Sequence, residues 1–209
     1  MQIGILCLQG DFEAHRKVLA RLGVTPRDVR RPGELEGLQG LVLPGGESTT
    51  MWHFLRQDGF EAALGDFARQ GGAIYGTCAG AILLAREVLN PRGTGLGLLD
   101  ITVERNSYGR QVESRVRVAG TDDPRAPRLE AVLIRAPRIV RLGPDVRVRA
   151  QLDADPVWVE EGRVMATTFH PELGDEERPH RRFLEIVSGA TPVVASRLLE
   201  GVLGSRPGA

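Results

Sequence analysis

The chain has 209 residues, 42% hydrophobic and 26% charged, the balance of an ordinary globular domain rather than a disordered or fibrous one. Lys plus Arg and Asp plus Glu both total 27, so charge gives no reason to expect nucleic acid or an anionic membrane as partner. The longest apolar-plus-glycine run, Ala79 to Ala85, is far too short to span a bilayer, and "MQIGILCLQGDF" lacks the basic region and cleavage site of a signal peptide, so the cytoplasm is the expected compartment.

In chain order, "QIGILCL" is a short apolar run that ends before Gly10 and predicts a strand. "DFEAHRKVLARLG" follows as a helix to Leu22, with Phe12, Val18, Leu19 and Leu22 on its apolar face and Lys17 opposite. Lys17 is the only lysine in the chain; on a solvated face it makes a poor Schiff-base former, and arginine cannot replace it. "GLVLPGG" reads as a second strand, followed by helices over about 47–57 and 60–70. "AIYGT" is the next strand, and "AGAILLAREVL" continues it as a helix stopped by Asn90-Pro91. Such alternation predicts an α/β fold: an open, mostly parallel sheet with helices on both faces. From about Gly97 the texture changes. "GLLDITVERN", "VESRVRVAG", "LEAVLIRAP", "VRVRAQL", "PVWVEEG" and "RVMATTF" predict additional antiparallel strands in the second half, and a last helix falls near 175–188. One domain over 1–188 is expected, followed by a tail over 189–209 that is partly helical or frayed.

Open α/β sheets bind ligands beyond the carboxyl ends of their strands. Three such ends carry unusual residues. At the first, Cys78 stands between "GT" and "AG" where a helix begins, so unpaired N–H groups and the positive end of the helix dipole would favour a thiolate. Gly76, Ala79 and Gly80 leave room for the sharp turn of a nucleophile elbow, although a buried filler at a tight turn fits the same local sequence. Cys7, within "GILCL", reads as core, and two cysteines make neither a disulfide framework nor a zinc spacing.

The second end is "TTFHPEL". In extended backbone His170 and Glu172 project to one side, where a carboxylate can fix the imidazole tautomer and leave the other nitrogen for a thiol; a surface turn is the alternative. His15 and His53 lie in helical stretches and His180 in "DEERPHRR", so these three read as structural or solvated. The third end, "LPGGESTT", can aim peptide N–H groups into a concavity, or be a plain turn with Ser48 capping the next helix. It lacks the lysine of a phosphate loop. No metal or cofactor is expected.

"PGGES", "GTCAG" and "HPE", in this order, resemble the class I (triad) glutamine amidotransferase family. More narrowly, "LQGDFEAH", "LPGGESTTM", "GLGLLDITVERNSYGRQVES", "IRAP" and "FHPEL" are similar to the glutaminase subunits of two-component pyridoxal 5′-phosphate synthases, over about residues 2–187. The resemblance implies a triad of Cys78, His170 and Glu172 and an oxyanion hole from the backbone of Gly46 and Ala79. It implies glutamine contacts at Gly46, Glu47, Ser48, Arg105, Ile134 and Arg135, and a role for Gln9 near the oxyanion loop and subunit contact. It further implies a synthase subunit as partner, which receives ammonia. A glutaminase subunit of another pathway, such as imidazole glycerol phosphate synthase, would share the triad but lack the "ERNSYGRQVES" similarity. A silent scaffold would keep the fold without the chemistry.

Overall fold

Residues 1–105 and 115–189 are described in the computed structural model of the chain. The first half runs β1 (Ile3–Leu6), α1 (Phe12–Arg21), β2 (Arg27–Val29), β3 (Gly40–Leu43), α2 (Ser48–Gln57), α3 (Phe60–Arg69), β4 (Ala73–Thr77), α4 (Ala79–Leu84), β5 (Ala85–Leu89) and β6 (Leu99–Glu104). The second half runs β7 (Arg115–Thr121), β8 (Arg128–Leu133), β9 (Arg138–Leu142), β10 (Arg147–Leu152), β11 (Asp155–Glu161), β12 (Val164–Thr167) and α5 (Arg178–Ser188).

Every residue of β1, β3, β4 and β12 is buried, as happens when a strand is covered on both faces. These four and β2 form a parallel core ordered β2-β1-β3-β4-β12. The sheet continues through β11, β10, β7 and β8, each antiparallel to its neighbour. A second sheet, β5-β6-β9, has three strands. Alternation along the parallel strands divides the core in two. Leu41, Leu43 and Ile74 pack with α2, α3, α4 and the small sheet, whereas Val42 and Tyr75 face α1 and α5 on the other side. No helix among the described residues is long and apolar enough to cross a membrane.

Three sequence expectations need correction. The helix after Cys78 stops at Leu84 rather than reaching Asn90, and Ala85–Leu89 is a strand. The reason is a crossing loop: the N–H groups of Leu96, Gly97 and Leu98 donate to the carbonyls of Leu83, Ala85 and Leu84, which a longer helix would have used itself. A Cβ on Gly95 would lie 2.3 Å from the Ala85 carbonyl oxygen, so that approach needs glycine. Second, β2 and β9 were not anticipated; each is short and heavily charged, so hydropathy hides it. Third, the last helix begins at Arg178, because Pro179 sets its first turn. Of the "ERNSYGRQVES" stretch, residues 106–114 lie outside the described residues, as does the tail from 190.

α4 packs its first turn directly onto β3: a Cβ on Gly80 would sit 2.2 Å from the Leu43 carbonyl oxygen, a contact that backbone cannot yield cheaply. Gly80→Ala is therefore expected to destabilise the fold by about 1–3 kcal/mol, seen as a lower urea midpoint at unchanged slope. Gly33→Ala, whose Cβ meets nothing within 4 Å, leaves the midpoint the same or slightly higher.

Candidate active site

Four of the parallel strands deliver their carboxyl ends to one side of the sheet. β1 leads to Gln9-Gly10-Asp11, β3 to Gly45-Gly46-Glu47, β4 to Cys78, and β12 to His170. Thr77 pairs with Thr167 in register, and the Cys78 N–H still donates to the Thr167 carbonyl at 2.8 Å, so the thiol and the imidazole leave neighbouring strands at one level. The residues meet around a cavity of about 400 Å³.

Cys78 has φ +47° and ψ −100°, a left-handed conformation that costs an L-residue about 1–3 kcal/mol. It is held because β4 must turn into α4 within one residue. Gly76 makes that possible, since a Cβ there would meet the Gly80 backbone at 2.6 Å. The turn points the side chain into the cavity and leaves the Ala79 N–H at the first helical position, without an intrahelical acceptor.

The imidazole of His170 lies beside Cys78 at the cavity wall and hydrogen-bonds with Glu172 behind it, Nδ1 to Oε1 at 2.7 Å. A Cβ on Gly45 would touch both the ring and the Cys78 Cβ, so this glycine is the gap through which they approach. Burial by itself pulls the imidazole pKa down; the neighbouring Cys78 first, and then the bond to Glu172 and its charge, outweigh it and raise the pKa to about 10. Glu172 is buried too. Burial pushes its carboxyl up, but His15 and then His170 hold it well below the usual carboxylate range. The sequence argument for this pair relied on extended backbone. In fact His170 leaves the strand and Pro171–Leu173 forms a 3₁₀ turn, which still carries the carboxylate back beneath the ring.

The β3–α2 loop is tied down from the β1 side. Gln9 Oε1 accepts the Glu47 N–H at 2.9 Å, and the Asp11 N–H donates to the Gly45 carbonyl at 3.1 Å. A Cβ on Gly46 would lie 2.4 Å from Gln9 Oε1, so a side chain there would displace the Gln9 carboxamide from the loop. Ser48 does not cap α2 as anticipated. Glu47 does: its two oxygens accept from the N–H groups of Thr49 and Thr50 and from the Thr50 hydroxyl. Those bonds, the Thr50 hydroxyl first, lower its pKa to about 2.

Gln9, Gly46, Glu47, Ser48, Cys78, Ala79, Arg105, Ile134, Arg135 and His170 all border the cavity, and Glu172 sits behind His170 rather than on the wall. Arg105 reaches Thr49 Oγ1 at 3.3 Å, while its buried Nε has no partner among the described residues. Asn90 and Pro91, read in the sequence only as a helix stop, also line the cavity. So does Asp11, whose carboxylate lies 4.0 Å from His170 Nδ1. The sole sequence signal for Asp11 is its place two residues after Gln9. Asp11, His170 and Glu172 bring ligand-type atoms within 4.8 Å of one another, but Nδ1 and Oε1 are already committed to each other. Lys17 and His53 are exposed and Cys7 is buried one residue past β1, as their patterns suggest.

A sequence profile described as the SNO glutamine amidotransferase family matches residues 5–188. The chain belongs to the SNO glutamine amidotransferase family. Within it, the chain is 52% identical over 192 residues to the "Pyridoxal 5′-phosphate synthase subunit PdxT" of Deinococcus radiodurans, covering 88% of this chain and 96% of that one. The protein of the same name from Thermotoga maritima is 47% identical, covering 90% and 100%. A solved structure described as a glutamine amidotransferase superposes with a TM-score of 0.84 at 44% identity, over 90% of this chain and all of the other.

In this amidotransferase the strain at Cys78 gives a separable prediction. Cys78→Gly and Cys78→Ala both remove the sulfur, but only glycine also removes the Cβ from a positive-φ position. The glycine variant is expected to be about 1 kcal/mol more stable than the alanine variant by thermal or urea unfolding. An alanine variant equal or superior in stability would mean that the turn is unstrained.

Proposed function

We propose that this chain hydrolyses the side-chain amide of L-glutamine to L-glutamate and ammonia, as the glutaminase subunit of a pyridoxal 5′-phosphate synthase in vitamin B6 biosynthesis. The observation that carries the chemistry is the meeting of Cys78 and His170 from opposite halves of the chain, with Glu172 bonded behind the ring. The PdxT relatives named above support the pathway.

In this reading the Cys78 thiolate attacks the carboxamide carbon, and the carbonyl π electrons move onto oxygen. The N–H groups of Gly46 and Ala79 receive that oxyanion, each such donor lowering the barrier by about 3–4 kcal/mol. His170, kept cationic by Glu172, gives its proton to the departing nitrogen as the C–N bond breaks, leaving a γ-glutamyl thioester and ammonia. The neutral imidazole then takes a proton from water, whose oxygen attacks the thioester carbon; the C–S bond breaks, glutamate leaves and the thiolate returns. Arg105 and Arg135 are assigned the substrate α-carboxylate, and Glu47 the α-ammonium, shared with the α2 cap it already forms. Ser48 and Ile134 complete the wall.

Ammonia then passes to a synthase subunit, in the cytoplasm. A chain with one exposed lysine is poorly equipped for imine chemistry, which supports placing that step on the partner. Because a single side chain, Gln9, ties down the Glu47 N–H, docking at this rim is expected to complete the oxyanion loop. Ammonia release by the isolated chain should be low and rise when the synthase subunit is added; full activity of the lone chain would contradict this gating.

The nucleophile is tested separately. A glutamine-mimicking electrophile should label Cys78 and spare Cys7, whose thiol burial pushes up, and Cys78→Ala should reduce glutamine hydrolysis in the complex to background. Retained hydrolysis, or labelling at Cys7 alone, would overturn the assignment.

A further inference from the structure

His15 and His180, read from the sequence as structural or solvated, are both fully buried and lie directly behind Glu172. His15 Nε2 stands 3.1 Å from Thr77 Oγ1 and 3.4 Å from Glu172 Oε1; its Nδ1 stands 2.9 Å from His180 Nε2. Two rings from α1 and α5, far apart in sequence, thus stack into a chain that ends on the carboxylate.

The tautomers follow from the acceptor at the end of the row. A carboxylate accepts only, so the nitrogen of His15 that faces it carries the proton, shared with Thr77. The reverse arrangement would set two lone pairs against each other across 3.4 Å in a buried site. His15 Nδ1 in turn pairs with His180 Nε2. What remains is His180 Nδ1, a buried atom without a partner among the described residues. The His180 ring is neutral: burial, then the neighbouring His15, lower its pKa to about 3. Tyr75, edge-on to both rings, fills the space around them. On the carboxylate, Oε1 pairs with His170 at 2.7 Å and faces His15 Nε2 at 3.4 Å, whereas Oε2 has no partner among the described residues. His15 is therefore half of what answers a buried charge.

We infer that His15, oriented by His180, is a positioning residue that keeps Glu172 charged and directed at His170, so that the triad extends two residues deeper than its three named members. The inference rests on the Cys78–His170–Glu172 reading and adds to it. The titratable groups that face Glu172 or the rings around it are Asp11 just before α1, His15 from α1, Tyr75 from β4, Cys78 and His170 beside the cavity and His180 from α5, with Arg21 near His180 and Glu176 near Tyr75. His170 at 2.7 Å and His15 at 3.4 Å are the nearest nitrogens to the carboxylate in that set. Removing the His15 donor leaves burial less opposed, so the Glu172 carboxyl gains its proton at a higher pH. The imidazolium then loses its counter-charge, and the acid limb of the activity profile moves upward in pH.

The test compares two uncharged amide variants, one methylene apart, in the complex with the synthase subunit. Gln places its side-chain nitrogen where His Nε2 stands, and Asn places it nearer Nδ1, so His15→Gln restores the donor to Glu172 and His15→Asn does not. His15→Asn is expected to lose about tenfold in kcat, the size of one hydrogen bond to a charged group, with KM changed less than twofold and the acid limb raised. His15→Gln is expected to recover most of kcat and the original limb. If both variants match the unaltered protein, or both lose activity equally with the acid limb unmoved, the inference is wrong. A fold disturbed in both would be seen in their unfolding midpoints; then the low-field proton of the His170–Glu172 bond decides, retained in His15→Gln and lost or shifted in His15→Asn, and identical spectra overturn the inference. Failure of the underlying reading looks different: Cys78→Ala would then hydrolyse glutamine as well as the unaltered protein.

Discussion

A carboxylate sealed away from water must be answered by donors, or it takes up a proton and ceases to be a charge. Glu172 is in that position, and the surrounding architecture can be read as the answer. His170 meets it from the end of β12, His15 from α1, and His180 supports His15 from α5. Those helices lie on the same face of the sheet because Ile3, Ile5, Val42 and Tyr75 point that way and call for apolar cover. Core packing and site electrostatics are therefore coupled. The helices that bury the sheet also supply the groups that keep this sequestered carboxylate ionised, and its charge, with the neighbouring Cys78, raises the imidazole pKa.

The opposite face holds the strained part of the site. Cys78 occupies a backbone region that glycine would fill at no cost, and it is held there by a strand, a helix and two glycine contacts that leave no room for relaxation. A sequence optimised for stability alone would place glycine at that turn. The stored strain holds the sulfur at the cavity, beside the first free N–H of α4. The β3–α2 loop completes the arrangement from the other side with fewer ties, since the Glu47 N–H depends on Gln9. A rigid nucleophile opposite a loop held by so few bonds is the division of labour that the proposed completion by a partner calls for.

Much of this was legible in the sequence, for definite reasons. β1, β3, β4 and β12 are uninterrupted apolar runs, so their number, direction and carboxyl-end residues follow from pattern, and the glycines around Cys78 point to a turn. The legibility failed where local pattern and tertiary demand part company. "ILLAREVL" has a good helical texture, yet the carbonyls that would extend the helix are taken by a loop that returns ten or so residues later. Ser48 has the favoured chemistry for a cap, but the Glu47 side chain reaches the same N–H groups first. His15 and His180 carry no local signal at all. A histidine on a helix face reads as solvated or structural until the distant carboxylate beneath it is placed, and only the fold places it.

The central claim is that Glu172 and Cys78 together hold the His170 ring in its charged form across the neutral range. The most direct measurement is an NMR titration of the His170 ring nitrogens in the intact protein. Protonation persisting through neutral pH and lost only near pH 10 is what the geometry predicts. A ring that loses its proton at or below about pH 6.5, the value of a free imidazole, would contradict it.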